Sequence, residues 1–239
     1  MTAEATKPMI GRAIKRREDP KLITGHGNFL DDVKLTGMAH AAVLRSPYAH
    51  ARIRSIDTSK AAALPGVIAV YVGQDMTDVN PLPCAWPAGG FKNNMNTPRA
   101  LAVDVARFVG EGVAVVIAED RYIARDALDL IDVDYEPLAV VVDPEKATHA
   151  GAPQLHENAP NNVVVEWSAG NREGTNAAVA SAAVVVKERI VNQRLMPTPM
   201  ETRGSIARYE SSTNEFTLWT SSQAPHVHRL LLTAFVFGI

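Results

Sequence analysis

Residues 108–142, FVGEGVAVVIAEDRYIARDALDLIDVDYEPLAVVV, constrain the fold of this chain more than any other stretch. A Gly-x-Gly turn at Gly110 and Gly112 opens onto an unbroken apolar run, 113–118, with the length of a strand buried on both faces. Asp120 stands where a helix N-cap belongs, and Ile123, Ala127, Leu128 and Ile131 follow at helical spacing. Glu119 and Asp120 put negative charge at that helix N-terminus, where the macrodipole favours it. Val133 and Tyr135 then alternate with Asp132 and Asp134, the pattern of a half-exposed strand. Pro137 ends it, and 138–142 reads as a third extended piece. Strand, helix, strand with short joints makes a compact α/β unit.

The flanking sequence supplies partners for that unit. Residues 38–44 read as a strand running into Arg45-Ser-Pro, and 51–56 alternate Ile53 and Ser55 with Arg52 and Arg54. Asp57 or Thr58 can cap a short helix through Leu64; Pro65-Gly66 stops it, and 67–72 form a further strand. The order β-β-α-β before the central unit predicts an α+β domain that closes near Pro144. Residues 77–99, rich in Pro, Gly and Asn, read as a long irregular loop. It carries the sole cysteine, Cys84, and with no base or cation beside it an inert thiol is expected. Residues 148–162 lack periodicity and read as a linker. Beyond it come a short strand at 163–167, a long one at 184–193, and a hairpin pairing 206–209 with 216–221. A final helix spans 223–237, with Ser222 as N-cap, Pro225 in the first turn and Gly238 as C-cap. These last elements are too few to close a core, so the second domain is expected to be incomplete, with Leu230, Leu231, Phe235 and Phe237 on its open side.

With 239 residues the chain is long enough for two domains, and 46% hydrophobic with 21% charged residues is ordinary for a globular protein. A net charge of −2 gives no electrostatic reason to expect nucleic acid or an anionic membrane. One cysteine excludes an intrachain disulfide framework and favours a reducing compartment. No secretory h-region opens the sequence, and no apolar run approaches the roughly 20 residues of a membrane span, so a cytoplasmic location is expected. Five basic residues crowd the stretch IGRAIKRREDPK, but Glu18 and Asp19 interrupt them and no aromatic is interleaved. A solvated surface is the plainer reading of that run.

Residue chemistry alone names no reaction. His226 and His228 lie two apart, which on a helix puts them on different faces and argues against a metal pair. The acidic pairs Asp31-Asp32, Glu119-Asp120 and Asp132/Asp134 read as caps, turns or the wet face of a strand. Glu111, between two glycines at a strand edge, is either a turn residue or a ligand contact, with the turn favoured. No nucleophile elbow, phosphate loop, dinucleotide fingerprint or zinc spacing is present.

Several blocks together carry a resemblance. They are IGRAIKRREDPKLITGHGNFLDD, HAAVLRSPYAHARIRSIDTSKAAALPGVIAVYVGQDM, RFVGEGVAVVIAEDRYIARDALDLIDVDYEPL, PMETRGSIARY and WTSSQAPHVHR. In this order they resemble the molybdopterin-binding large subunit of the xanthine dehydrogenase, aldehyde oxidase and carbon monoxide dehydrogenase family. The resemblance implies an α+β fold: an N-terminal arm at 1–20, a hammerhead-type mixed α/β domain at 21–157, and the beginning of a molybdopterin-binding domain at 163–239. It implies an oxidoreductase that hydroxylates or oxidises a small carbonyl, N-heterocyclic or CO-type substrate with water as oxygen source. The implied cofactors are a molybdopterin-type molybdenum cofactor here, and FAD and iron–sulfur clusters on a medium and a small partner subunit. A homodimer of heterotrimers is the implied assembly. One functional residue carries across: Gln223, whose counterpart approaches the apical oxo group of the molybdenum, at a helix N-terminus whose field suits an anionic oxo-metal centre. The alternative for Gln223 is an amide that merely caps the helix. The family's GGGFG-type loop and catalytic glutamate have no counterpart in this sequence, so no catalytic residue and no protein metal ligand is expected within it. A non-catalytic binding or assembly module that has kept the hammerhead fold is the competing reading.

Overall fold

The computed structural model describes residues 10–83, 92–93 and 97–238. Cys84 lies outside the described residues. The chain divides into two compact units, one of Gly37–Gln193 with Gln223–Ile239 and the other of Met1–Thr36 with Arg194–Ser222.

The larger unit is built on two small antiparallel sheets. Strands β1 (His40–Arg45) and β3 (Val67–Val72) flank β6 (Gly112–Ala118), giving the order β1-β6-β3. Val43 faces Val115, and Val70 faces Val116. The second sheet runs β5 (Val105–Ala106), β2 (Ala51–Asp57), β7 (Asp132–Pro137). The central strand is the expected apolar run, but it is buried differently. Ala114, Val116 and Ala118 are wholly enclosed while Val115 and Ile117 remain half-buried, so one face is packed and the other partly open, as antiparallel sheets allow. Helix α3 (Arg121–Leu128) lies against the packed face. The Asp120 carboxylate accepts from the Tyr122 amide at 2.7 Å and fixes its start. Alanines at 61, 114, 124 and 127 are all fully buried, and their small side chains let helix and sheet approach closely. Leu44, Ile56, Leu64, Val70 and Val133 complete the apolar core, which draws on both sheets.

Two glycines are required by geometry. At Gly73 a Cβ atom would lie 2.1 Å from the Ala102 carbonyl oxygen, where only glycine fits. Gly110 has φ +93°; its amide donates to the Ser46 carbonyl, and its own carbonyl accepts from Arg45 Nη1. The short helix α2 (Ser59–Ala62) begins where Asp57 Oδ1 accepts from the Ser59 amide at 2.9 Å, and Gly66, at φ +88°, turns the chain into β3.

The structure corrects several expectations. The segment 138–142 is not a strand; Leu138 donates to the His50 carbonyl, His50 Nδ1 meets the Ala139 carbonyl at 2.7 Å, and the chain then leaves the sheet. The segment 184–193 is not a strand either. It runs exposed, held by an ion pair from Arg189 Nη2 to Glu145 Oε1 at 2.7 Å, and lies beside no strand among the described residues, so it has no ladder. Before it stands a helix the periodicity did not reveal, α4 (Arg172–Ser181), capped by Asn171 Oδ1 accepting from the Gly174 amide. None of its residues is buried. A two-residue strand β8 (Val165–Glu166) pairs with β4 (Lys92–Asn93). The last helix begins later than expected, as α5 (Pro225–Leu230) with Ala224, not Ser222, at the N-cap, and continues as a π-helical stretch, Leu231–Phe237, closed by Gly238 at φ +68°.

The smaller unit contains helix α1 (Asp19–Ile23), a 3₁₀ turn at Leu30–Asp32, and the hairpin β9 (Ser205–Glu210) with β10 (Glu215–Thr220). Tyr209 and Phe216 face each other across the hairpin with ring centroids 4.7 Å apart. Among the described residues no helix is long and apolar enough to cross a membrane.

Candidate functional site at Gln223

Local sequence dictates how Gln223 is presented. Proline at position 225 excludes the residue before it from helical conformation, and Ala224 accordingly has φ −137° and ψ 70°. The helix therefore starts at Pro225, and Gln223 sits two residues upstream, exposed. No side chain caps α5, and the Gln223 amide has no hydrogen-bond partner among the described residues. The amide thus keeps both its donors and its acceptor for something else.

The other sequence candidates fall into structural roles. Glu111 is buried; its Oε2 accepts from the Arg107 amide at 2.6 Å and its carbonyl accepts from Ser46, so it braces the turn before β6. Asp32 Oδ2 accepts from the Phe29 amide, and Asp120 caps α3. Asp132 and Asp134 occupy the exposed face of β7. Glu201 Oε1 accepts from the Leu30 amide at 3.0 Å and ties the 3₁₀ turn to the strand-bearing half of the smaller unit. His226 and His228 lie exposed in the single turn of α5, and no group of three or more His, Cys, Asp or Glu residues able to hold a metal occurs among the described residues.

Two features of the larger unit escaped sequence reasoning. One is a cavity of about 410 Å³ lined by Arg99, Leu101, Asp104, Arg107, Glu111 and His156 among others. Arg107 donates from Nε to the Leu155 carbonyl and from Nη1 to the Val105 carbonyl. Burial first, then the Arg107 and His50 charges, holds His156 below the ordinary histidine range. The other is the hub at Asn162: Oδ1 accepts from the Leu155 amide, and Nδ2 donates to the carbonyls of Ala147 and Pro153, each at 2.9 Å. Asn162 has φ +56°, a conformation asparagine tolerates better than most residues. Its NN dipeptide was the signal available in the sequence. On β7, the Tyr135 hydroxyl is buried without a hydrogen-bond partner among the described residues. Burial raises its phenol, against a lowering influence from Ser46, whose Oγ is engaged with the Tyr48 backbone.

Two small antiparallel sheets sharing one alanine-rich core with a capped helix define a mixed α/β protein of the hammerhead type. Residues 24–139 match the family model for the aldehyde oxidase and xanthine dehydrogenase a/b hammerhead domain, and residues 155–239 match that for the molybdopterin cofactor-binding domain. The carbon monoxide dehydrogenase large chain of Afipia carboxidovorans is 41% identical over 97% of this chain and 30% of its own. The nicotine 6-hydroxylase large subunit of Paenarthrobacter nicotinovorans is 39% identical over 97% of this chain and 28% of its own. Among solved structures, the Cu,Mo-CO dehydrogenase superposes with a TM-score of 0.83 at 39% identity, covering 96% of this chain and 30% of that one. Quinoline 2-oxidoreductase from Pseudomonas putida 86 gives 0.80 at 40% identity, over 97% and 29%. The chain therefore belongs to the xanthine dehydrogenase, aldehyde oxidase and carbon monoxide dehydrogenase family of molybdopterin-binding large subunits, as its ordered sequence blocks implied. It spans about 30% of the length of the curated relatives it matches.

Proposed function

We propose that this chain serves in a molybdenum hydroxylase large subunit, an oxidoreductase that hydroxylates or oxidises a small carbonyl, N-heterocyclic or CO-type substrate with water as oxygen source. The observation that carries the proposal is the succession of the two family models, hammerhead then cofactor-binding, along most of one chain. The names of the relatives support the substrate range, since they act on carbon monoxide, nicotine and quinoline. An FAD-binding medium subunit and an iron–sulfur small subunit are the partners this reading assigns, in a cytoplasmic homodimer of heterotrimers. The working division is an arm at 1–20, a hammerhead domain at 21–157 and a cofactor domain from 163 onward.

A bare metal ion would ask for a cluster of charged ligands, and the described residues hold none. An oxo-metal group carried by its own organic ligand asks instead for neutral donors, and the uncommitted amide of Gln223 is one. On this reading Gln223 would donate a hydrogen bond to the bound cofactor and help to orient it. When bound, the cofactor supplies the two-electron redox centre and the oxygen transfer. Pro225 fixes where the helix starts, and Gln223 lies two residues before it.

The test is Gln223→Ala in the full-length enzyme. Loss of an oriented donor at the reacting centre should lower kcat roughly 100-fold, by analogy with the removal of one oxyanion-hole donor. Stability should change by less than about 0.5 kcal/mol, as for an exposed side chain with no partner. Unchanged turnover would remove Gln223 from the site.

A further inference from the structure

The helix that follows Gln223 is pinned at its far end by a residue from a distant part of the larger unit. Asn80 Nδ2 donates to the Phe235 carbonyl at 3.0 Å, across 155 residues of chain. That carbonyl lies in the last turn before Gly238, where helix geometry leaves the final C=O groups without an amide of their own. Next to it Val236 is the one buried side chain of the π-helical stretch, so this end of the helix is packed as well as bonded. Asn80 is itself exposed, and no packing explains where its amide points.

The backbone that carries Asn80 is braced on both sides. Arg99 Nη1 donates to the carbonyls of Thr77 and Val79, at 3.2 and 2.9 Å, just ahead of it. The Leu82 amide donates to the Pro98 carbonyl just beyond it. Upstream, a 3₁₀ turn at Gly73–Met76 sets its glycine against the Ala102 backbone, and Gln74 Nε2 donates to Asp104 Oδ1 at 3.3 Å. Composition marks 77–99 only as irregular, yet its described ends hold one side-chain amide in a fixed place.

Between this pin and Gln223 the helix changes register. Residues 225–230 are α-helical and 231–237 π-helical, and the Gly238 amide accordingly donates five residues back, to the Thr233 carbonyl. At the changeover Thr233 Oγ1 donates to the Arg229 carbonyl at 2.8 Å. Bonds that close over five residues take up one residue more than α pairing would, and one residue of an α-helix is a rotation of about 100°. With the far end held, a return to α pairing would swing the start of α5, and Gln223 before it, through an angle of that order.

We propose that Asn80 is a positioning residue for Gln223: by holding the Phe235 carbonyl it keeps the π register and so sets the direction in which the Gln223 amide faces. The proposal rests on the reading of Gln223 as a cofactor contact given above. Asn80 lies in the segment matched by the hammerhead model, and Phe235 and Gln223 lie in the segment matched by the cofactor-binding model. One hydrogen bond thus lets the first segment orient a contact made by the second. The competing role for Asn80 is a helix C-cap that serves stability and nothing more.

The experiment uses the full-length holoenzyme and four variants: Asn80→Ala, Asn80→Asp, Gln223→Ala and the double change Asn80→Ala with Gln223→Ala. Each is reduced with dithionite and its molybdenum electron paramagnetic resonance signal recorded, which needs no knowledge of the substrate. Amide hydrogen exchange over 231–238 is followed in parallel. Gln223→Ala should shift the signal. Asn80→Ala should shift it too, and should add nothing in the Gln223→Ala background, because a residue that acts through another has no effect once that other is gone. Asn80→Asp, which keeps the size and loses the donor, should match Asn80→Ala. Exchange over 231–238 should quicken about 5-fold in both, the loss of one hydrogen bond, with the global melting temperature unmoved because Asn80 is exposed. A signal that Gln223→Ala shifts and Asn80→Ala leaves as in the wild type, or shifts that add in the double variant, would overturn the positioning role and leave Gln223 at the cofactor. Unchanged exchange over 231–238 in the Asn80 variants would overturn it as well, since the bond would then hold nothing. A Gln223→Ala spectrum identical to the wild type would overturn both readings together.

Discussion

Two valine-rich runs in the larger unit meet opposite ends. Residues 113–118, VAVVIA, become the middle strand of a sheet, with Val113 and Val116 fully enclosed. Residues 184–191, VVVKERIV, remain exposed along their length, with Val184 at 80% and Ile190 at 88%. β-Branched residues dominate both runs, although Lys187, Glu188 and Arg189 interrupt the second. The larger difference is company. The first run finds β1 and β3 on its two edges and α3 on its face, each already shaped by its own turn or cap. The second lies beside no strand among the described residues. Strand formation is a property of a pair, and apolar sequence supplies only the willingness to pair.

The comparison breaks most visibly under a charge. Val116→Asp places a carboxylate with no partner in the alanine-rich core and should cost about 4 kcal/mol or more, enough to abolish cooperative unfolding. Val185→Asp, the matching change on the exposed run, should stay within about 0.5 kcal/mol of the parent. Urea unfolding of the two variants side by side decides the matter. Equal losses would mean that the 184–191 run is packed in solution, and the contrast drawn here would go.

Helix caps offer a finer version of the same contrast. Both α3 and α4 have a side-chain N-cap, Asp120 at 2.7 Å and Asn171 at 2.9 Å. Removing either bond should cost its own helix about 1 kcal/mol. Asp120→Ala should lower the global unfolding free energy by that amount, because α3 buries Ala124 and Ala127 in the core. Asn171→Ala should leave the global midpoint unmoved and show only as faster amide exchange over 172–181, because α4 buries nothing. A shift in the global midpoint from Asn171→Ala would show that α4 is docked.

These cases also show where sequence was enough. The strand at β6, the Asp120 cap, the Pro65-Gly66 stop and the β9–β10 hairpin each follow from residues close in the chain, and each forms as expected except that β6 packs on one face and not on both. The expected strand–helix–strand unit is different: its elements form, but β6 and β7 enter separate sheets. Period and propensity describe a strand's faces and say nothing of which edge it joins. The late start of α5 was legible in principle, because proline at 225 bars Ala224 from the helix, but Ser222 offered a more familiar cap. As for the candidate site, the Gln223 position came from resemblance alone; no local pattern marks an uncommitted amide. The cavity beside Arg107 and His156 depends on residues 48 apart meeting, which no window of sequence contains, while the Asn162 hub gathers partners 7 to 15 residues away with no periodic pattern to announce them.

The cavity yields the smallest expected effect, and it sets the packed region against the exposed one by pH. His156 is held below its ordinary value of 6.5 by burial first, then by Arg107 and His50, while Asp104 and Glu111 on the same cavity lining offer opposite charge. Below about pH 6.5 the unfolded chain therefore takes up a proton that the folded chain resists. The unfolded state binds more protons in that window, so stability falls as pH falls from about 6.5 and levels off once the folded His156 is itself protonated. Asp57, Asp143 and Glu210 are held below their ordinary carboxylate values, so their contributions are lost only in more acid solution, below about 4.5. The two windows are separable. A melting series between pH 7.5 and about 5 should show a shallow decline that His156→Gln flattens, leaving the steeper acid loss in place. Because His156 anchors no apolar core, the same substitution should alter the melting temperature little at pH 7.5. An undiminished decline in the His156→Gln variant would assign the slope to another group and leave the histidine as a wall of the cavity only.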